Sequence, residues 1–171
     1  MKQLLTITLL VFSIITTAQN TATPAKIEGK DIYVLLVNTN PTDFVESVNL
    51  SKEQATSATD FNTRIQLLIS LASTQDYDAI TTRDGKSVQL IKYKDNKNIT
   101  KANVPNYFGK EVYFLSNPTK KYKVVETKEI TKEDAKNVFY NVASTYAKND
   151  NVTFDAVIIS NKQVKYIQYN K

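Results

Sequence analysis

The sequence of this 171-residue chain repeats itself at a spacing of 80 residues. The segment Gly29–Leu35 (GKDIYVL) recurs as Gly109–Leu115 (GKEVYFL), and ungapped matches continue beyond it. Later matches follow at a shorter spacing, because the second copy has about four fewer residues in its loops. A collinear series of this kind indicates duplication. The sequence therefore predicts two copies of one folding unit, at residues 29–94 and 109–171.

Each copy is predicted to contain two strands, one helix and two further strands. Ile32–Val37 is an apolar run of strand length, and the turn-forming segment Asn38–Asp43 leads into a second strand, Phe44–Leu50. These two strands are expected to form a hairpin. The Asp84–Gly85 turn, whose glycine accepts a positive φ, and the tighter Ser160–Lys162 turn are expected to join the last two strands in antiparallel pairs.

Amphipathic helices are predicted between the strand pairs. Ser51 with Gln54, and Thr131 with Asp134, have the spacing at which an N-cap hydroxyl accepts a free backbone N–H. The apolar residues near and after these caps recur at helical spacing and define one face of each helix. They are Ala55, Ala58, Phe61, Ile65, Leu68, Ile69 and Ala72, and then Ala135, Val138, Phe139, Val142 and Tyr146.

These patterns together predict an α+β fold. Short helices are stable in water only when their apolar face is packed, so each helix must lie on a sheet. The expected architecture is a tandem duplication of a ββαββ unit. Its antiparallel sheet or sheets are each covered by one amphipathic helix, and the two copies have a pseudo-twofold arrangement.

The first eighteen residues have the pattern of a signal peptide. Lys2 precedes the apolar run Leu4–Ile15, and Thr16–Ala18 offers small residues for cleavage. The run is shorter than the roughly 20 residues that span a bilayer, and the chain has no cysteine for lipid attachment. We expect an exported protein, periplasmic or secreted and not a lipoprotein, with no stable transmembrane span after cleavage. Residues 19–28 are predicted as a polar N-terminal segment and residues 95–108 as the linker between the copies.

The chain contains no cysteine and no histidine, which excludes several classes of enzyme. Disulfide frameworks, thiol nucleophiles, histidine-dependent triads and zinc sites with thiolate or imidazole ligands all require these residues. The sequence also contains neither a glycine-rich phosphate loop nor an aspartate-rich calcium loop. We therefore expect no metal site and no cofactor.

Glu46 and Glu126 are the repeated carboxylates considered for catalysis. Each is on a predicted strand beside apolar residues, where the pKa of a carboxyl group can rise, and a pseudo-twofold could bring the two together. This pair supports an alternative function, a small carboxylate-based hydrolase or lyase acting in a cleft between the copies. The structural alternative pairs each glutamate with a cross-strand lysine, such as Lys30 or Lys110, or leaves it in solvent.

Asp78 and Asp155 also recur in the two copies. Each follows an aromatic residue where the chain enters the third strand. Aspartate at such a position commonly accepts hydrogen bonds from nearby backbone N–H groups. We expect this structural role for both.

Basic charge is concentrated in the second copy. Residues 26–100 contain nine Lys and Arg against ten Asp and Glu, whereas residues 101–171 contain twelve against seven. The candidate binding residues are on predicted strands of the second copy or beside them. They are Lys120, Lys121, Tyr122, Lys123, Lys128, Tyr166 and Tyr169. Lysines and exposed tyrosines suit contact with an acidic polymer or a protein, whereas the plainer alternative is a solvated face.

The leading functional interpretation is an exported, non-enzymatic binding or accessory module of the bacterial cell envelope. Its expected partner is an unknown envelope protein or an acidic polymer, contacted through the sheet and its lysine and tyrosine surface. Nucleic acid is not an expected partner, because the only arginines, Arg64 and Arg83, are in the less basic copy.

Overall fold

The computed structural model describes residues 20–58, 60–94 and 102–170. Over these residues the fold is mixed α+β and mostly strand, with three β-sheets and four helices. The predicted α+β class is therefore confirmed. The predicted signal peptide, residues 1–18, and residues 95–101 of the predicted linker lie outside the described residues.

Each half of the chain contributes seven strands and two helices to the described part. The first half contains β1 (Thr21–Thr23), β2 (Ala25–Ile27), β3 (Lys30–Val34), β4 (Val37–Asn38), β5 (Thr42–Asn49), α1 (Lys52–Ser57), α2 (Phe61–Leu71), β6 (Ala79–Thr82) and β7 (Ser87–Tyr93). The second half contains β8 (Ala102–Asn103), β9 (Asn106–Tyr107), β10 (Lys110–Phe114), β11 (Asn117–Pro118), β12 (Tyr122–Glu129), α3 (Lys132–Lys136), α4 (Phe139–Ala147), β13 (Ala156–Ile159) and β14 (Gln163–Tyr169).

Two five-stranded sheets form the main body of the fold. One has the strand order β2-β3-β6-β7-β5 and the other β9-β10-β13-β14-β12. In each sheet one pair is parallel, β3 with β6 and β10 with β13, and the other pairs are antiparallel. The predicted antiparallel pairing of the last two strands of each half is confirmed, but the prediction of wholly antiparallel sheets is wrong.

The predicted hairpin between the first two strands is also wrong. The apolar run Ile32–Val37 leaves the sheet after Val34, and Phe44–Leu50 lies mostly in β5, which pairs with β7 at the far edge. Leu35 has a φ of +60°, which turns the chain away directly after β3, and Leu115 has a φ of +48° directly after β10. The two strands are therefore neighbours in sequence but not in the sheet.

Each predicted helix is divided into two. The backbone is extended at Ala58, and a second N-cap, Asp60, begins α2 by accepting a 2.8 Å hydrogen bond from the backbone N–H of Thr63. The backbone is likewise extended at Asn137, between α3 and α4. The prediction of one helix per copy is therefore wrong, because an extended residue interrupts each helical pattern.

The predicted N-caps are confirmed. Ser51 forms a reciprocal capping box with Gln54, and the Thr131 hydroxyl accepts a 3.0 Å hydrogen bond from the backbone N–H of Asp134. Most of the predicted apolar faces are buried, while Ala55 and Val138 are half-buried. The helical faces were thus predictable even though the helix break was not.

A third sheet joins the halves through short strands in the order β11-β1-β8-β4. Its central pair places Ala22 opposite Ala102, and both side chains are fully buried. Each central strand also pairs with an edge strand of the other half, β1 with β11 and β8 with β4. The predicted N-terminal segment and the described part of the predicted linker therefore contain strands that the sequence analysis did not predict.

Two buried clusters, one on each face of the main sheets, contain residues from both halves. On the helix side, the rings of Phe61, Phe114 and Phe139 meet with centroids 4.8–5.3 Å apart. On the opposite side, Tyr33 and Tyr113 are buried in one cluster with residues of the third sheet. Because each cluster is shared, the halves pack against each other as one body.

Arg64 connects the halves in the helix-side cluster. Its side chain is 1% exposed and donates to the carbonyl oxygen of Asn137 at 2.6 Å and to that of Ala135. Burial lowers the pKa of Arg64. The guanidinium thus satisfies carbonyl groups at the end of α3, where a helix leaves its acceptors unpaired.

Candidate functional site

The most basic exposed segment predicted from the sequence lies on β12, an edge strand of its sheet. We define the basic edge as Lys120, Lys121, Tyr122 and Lys123. The three lysines are exposed and Tyr122 is half-buried. Lys121 and Lys123 form no ion pair with any residue in the described part of the chain. Their charges are therefore directed to solvent beside a strand edge that pairs with no described strand.

Tyr169 supports the basic edge from the neighbouring strand. It lies directly opposite Tyr122 in the pairing of β12 with β14, and the Nζ atom of Lys120 is 5.4 Å from the centroid of its ring. A cation over a tyrosine ring is held by the negative face of the ring. This contact keeps the Lys120 ammonium close to the ammonium-bearing strand next to it.

Lys128 and Tyr166, also predicted as binding residues, have structural surroundings. The Lys128 Nζ atom is 3.7 Å from Glu126 and 5.3 Å from the ring centroid of Tyr166. Tyr166 is 1% exposed and packs edge-on against Phe154, with ring centroids 4.9 Å apart. The Tyr166 ring is therefore part of the helix-side cluster and does not belong to the exposed surface.

The corresponding edge of the first sheet has a different charge. At the positions 80 residues before the basic edge, strand β5 and the residues before it have Asn40, Pro41, Thr42 and Asp43. Asp43 is paired with Lys94 at 2.8 Å. The same structural position is therefore basic and largely unpaired in the second half, but acidic and paired in the first.

Glu46 and Glu126 lie on the edge strands of two different sheets, β5 and β12. Glu46 is exposed, and Glu126 is half-buried beside Lys128. Each follows a β-bulge, at Val45 in one strand and Val125 in the other. Neither glutamate lines the cavity between the halves that is described below. The proposed cross-strand partners have other roles, since Lys30 and Lys110 donate to the carbonyls of Tyr77 and Phe154.

The structural role predicted for the repeated aspartates is confirmed. Asp78 accepts a 2.8 Å hydrogen bond from the backbone N–H of Tyr93, and Asp155 accepts a 2.9 Å bond from that of Tyr169. Each carboxylate therefore ties the entry of the third predicted strand to the end of the fourth.

A carboxylate bound to two tyrosines occurs in each half, and the sequence analysis missed both. In the first tyrosine cluster, the hydroxyls of Tyr33 and Tyr93 are 2.7 Å apart and Tyr93 donates to Asp31 at 2.8 Å. Lys26 completes it with an ion pair to Asp31 at 3.1 Å. The Asp31 carboxylate is thereby held by one cation and one hydroxyl.

The second tyrosine cluster contains Glu111, Tyr113 and Tyr169. The two hydroxyls are again 2.7 Å apart, and both donate to Glu111, Tyr113 at 3.0 Å. Asn20 takes the place of a cation by donating its amide to the same carboxylate. Burial raises the pKa of all four cluster tyrosines, and bonds to the carboxylates raise those of Tyr93 and Tyr169 further. At neutral pH these hydroxyls are donors rather than bases.

No helix within residues 20–58, 60–94 and 102–170 is long and apolar enough to cross a membrane. Over the same residues, no group of three or more Asp and Glu side chains is arranged to hold a metal ion. Comparison of the chain with protein-family models, curated proteins and solved structures finds no match. The functional argument therefore rests on the geometry of this chain.

Proposed function

We propose that this protein is an exported, non-enzymatic binding module of the bacterial cell envelope, and that its basic edge contacts an acidic polymer. The observation that carries the proposal is the exposed ammonium groups of Lys120, Lys121 and Lys123 beside one strand edge. Like charges placed together cost stability unless an opposite charge answers them. A polyanion supplies that charge along a row of lysines without requiring one fixed geometry.

The pattern at residues 1–18 supports the exported location. Its positive residue, apolar run and small residues have the order of a signal peptide. An extracytoplasmic protein would meet acidic polysaccharides and anionic surfaces there. This environment makes an acidic polymer a more suitable partner than nucleic acid.

We further propose that the scaffold is a tandem duplication with a pseudo-twofold arrangement. Support comes from the shared strand order of the two sheets and from bulges 80 residues apart. Within the third sheet, the pairs Ala22–Pro118 and Ala102–Asn38 exchange when 80 is added or subtracted. In this interpretation the basic edge is a change made in one copy after duplication, since the other copy has Asp43 in place of Lys123.

Binding to an immobilised acidic polysaccharide tests the proposal. The variant Lys120→Gln/Lys121→Gln/Lys123→Gln removes three charges from the basic edge. A matched control, Lys132→Gln/Lys136→Gln/Lys148→Gln, removes three charges from exposed positions on or beside the helices α3 and α4. We expect retention of the native protein on alginate at low salt, with affinity weakened about tenfold or more in the first variant and changed less than about twofold in the control.

Equal loss in both variants would show that only net charge matters and would contradict a defined site. Retention that does not depend on salt, or no retention at all, would also contradict a polyanion-binding function. Salt-dependent capture of an envelope protein by the basic edge, without binding to the polysaccharide, would assign the surface to a protein partner and overturn the polymer.

A further inference from the structure

A cavity of about 610 Å³ lies between the two halves of the protein. The first half supplies wall residues from β2, β3 and α2, and the second supplies them from the loop after β10, from β13 and from the turn after β13. Its floor is aliphatic, with Ile27, Ile32, Leu115 and Ile158. A volume of this size and an apolar floor with a few polar groups are typical of small-ligand sites.

The cavity has no carboxylate in its lining but contains two lysines, Lys26 and Lys162. Lys26 is already paired with Asp31 at 3.1 Å. Lys162 forms no ion pair with any other residue that the structure describes, and its side chain is exposed. One positive charge therefore remains to be balanced at the cavity, which favours a ligand with a single negative charge.

Ser116 in the cavity wall marks a difference between the halves. It is 5% exposed, and its hydroxyl oxygen has no hydrogen-bond partner among the described residues. The residue 80 positions earlier is Leu36, which is 4% exposed and packed in the core. A serine in place of a leucine removes apolar volume and adds a polar atom, and buried polar atoms normally have partners.

We infer that this cavity binds a small, hydroxylated monoanion of the sugar-acid class, such as a hexuronic acid. Lys162 pairs with the ligand carboxylate. The side-chain amides of Asn62 and Asn117 can exchange hydrogen bonds with sugar hydroxyls, since both residues line the cavity. The aliphatic floor covers the C–H surface of the ring. This site is separate from the basic edge and does not depend on the function proposed for it.

Titration with glucuronate, followed by NMR or calorimetry on the full chain, tests the inference. We expect saturable binding with a dissociation constant near or below about 1 mM, and binding of neutral glucose at least about tenfold weaker. Lys162→Gln should weaken glucuronate binding about tenfold, because it removes one charge-assisted contact. Ser116→Leu, which places the residue of the first half in the wall, should abolish binding by filling the cavity.

Lys86→Gln is the matched control, because Lys86 occupies the corresponding turn of the first half and does not line this cavity. Its affinity for glucuronate should be unchanged. Lys162→Gln changes an exposed side chain, so it reports on the site even if Ser116→Leu fails to fold. The triple variant of the basic edge should bind glucuronate like the native protein, which separates the two proposals.

Several results would overturn the inference. Equal binding of glucose and glucuronate would assign the cavity to neutral sugars, and tighter binding of hexanoate would assign it to apolar acids. Equal loss in Lys86→Gln and Lys162→Gln, or no saturation by glucuronate at about 20 mM, would leave no sugar-acid site.

Discussion

Replacement of Gly85 by alanine tests whether the close contact between the two halves contributes to stability. Gly85 lies in the turn between β6 and β7 and has a φ of +68°. A Cβ atom added there would lie 2.3 Å from the Cζ atom of Phe139 in the other half. That ring is fully buried and stacks on Phe114, with centroids 4.8 Å apart, so it cannot move without disturbing the shared cluster.

The expected cost has two parts. A positive φ costs a non-glycine residue about 1–2 kcal/mol, and forcing extra volume into a packed core costs about 1–3 kcal/mol. Gly85→Ala should therefore lower the free energy of unfolding by about 2–5 kcal/mol. Gly29 provides the matched control, because its φ is +80° and nothing lies within 4 Å of an added Cβ atom. Gly29→Ala should cost only the backbone part, about 1–2 kcal/mol.

Urea unfolding at 25 °C, followed by circular dichroism, measures both variants. The effect of alanine on the entropy of the unfolded chain is common to the two and cancels in the comparison. A Phe139→Leu change in the Gly85→Ala background should recover part of the loss, because it removes the ring that the new methyl group meets. Losses equal within about 0.5 kcal/mol in the two single variants would refute the steric contact between the halves.

Three further predictions concern single groups. Arg64→Met should lower the free energy of unfolding by about 2–4 kcal/mol in urea, because the carbonyls of Ala135 and Asn137 lose their donor; a native-like midpoint would contradict this. Asp60→Ala should cost about 1 kcal/mol at pH 7 by removing the N-cap of α2. Although partial burial opposes it, hydrogen bonding to Thr63 and its neighbours lowers the pKa of Asp60, so this stability is present above the unfolded pKa of about 4 and lost as the pH falls through the folded pKa. Asp60→Asn, which keeps a cap without a titrating group, should lack that part of the acid dependence in the same unfolding measurement. The four cluster tyrosines have raised pKa values in the folded state, so their contribution to stability is present below about pH 10 and lost as the pH rises beyond it. Absorbance at 295 nm should show them ionising only as the protein unfolds, and a reversible native titration near pH 10 would oppose this.

The local elements were predictable because their signals are confined to a few neighbouring residues. The capping pairs at Ser51 and Thr131 and the positive φ of Gly85 follow from short sequence patterns. The buried helix faces follow from spacing alone. The exposed lysines of the basic edge were predictable for the same reason, because charge in a strand at the sheet edge is seldom buried.

The tyrosine clusters show where such reasoning stops. Asp31 and Tyr33 are two residues apart and share a face of β3, and their counterparts Glu111 and Tyr113 repeat the pattern. What remained unknown was which distant residue meets them. Tyr93 and Tyr169 reach these carboxylates only because the sheet order brings the ends of β7 and β14 to that face.

The sequence by itself determined the repeated strands, the helix caps and faces, and the uneven distribution of charge. Only the tertiary structure decided that β3 pairs with β6 in parallel, that β5 crosses to β7, and that a third sheet and a cavity lie between the halves. Alternation along a strand fixes which side chains face the core but leaves the neighbouring strand open. That choice depends on contacts between residues far apart in the chain, whose combined packing is settled only when both halves fold together.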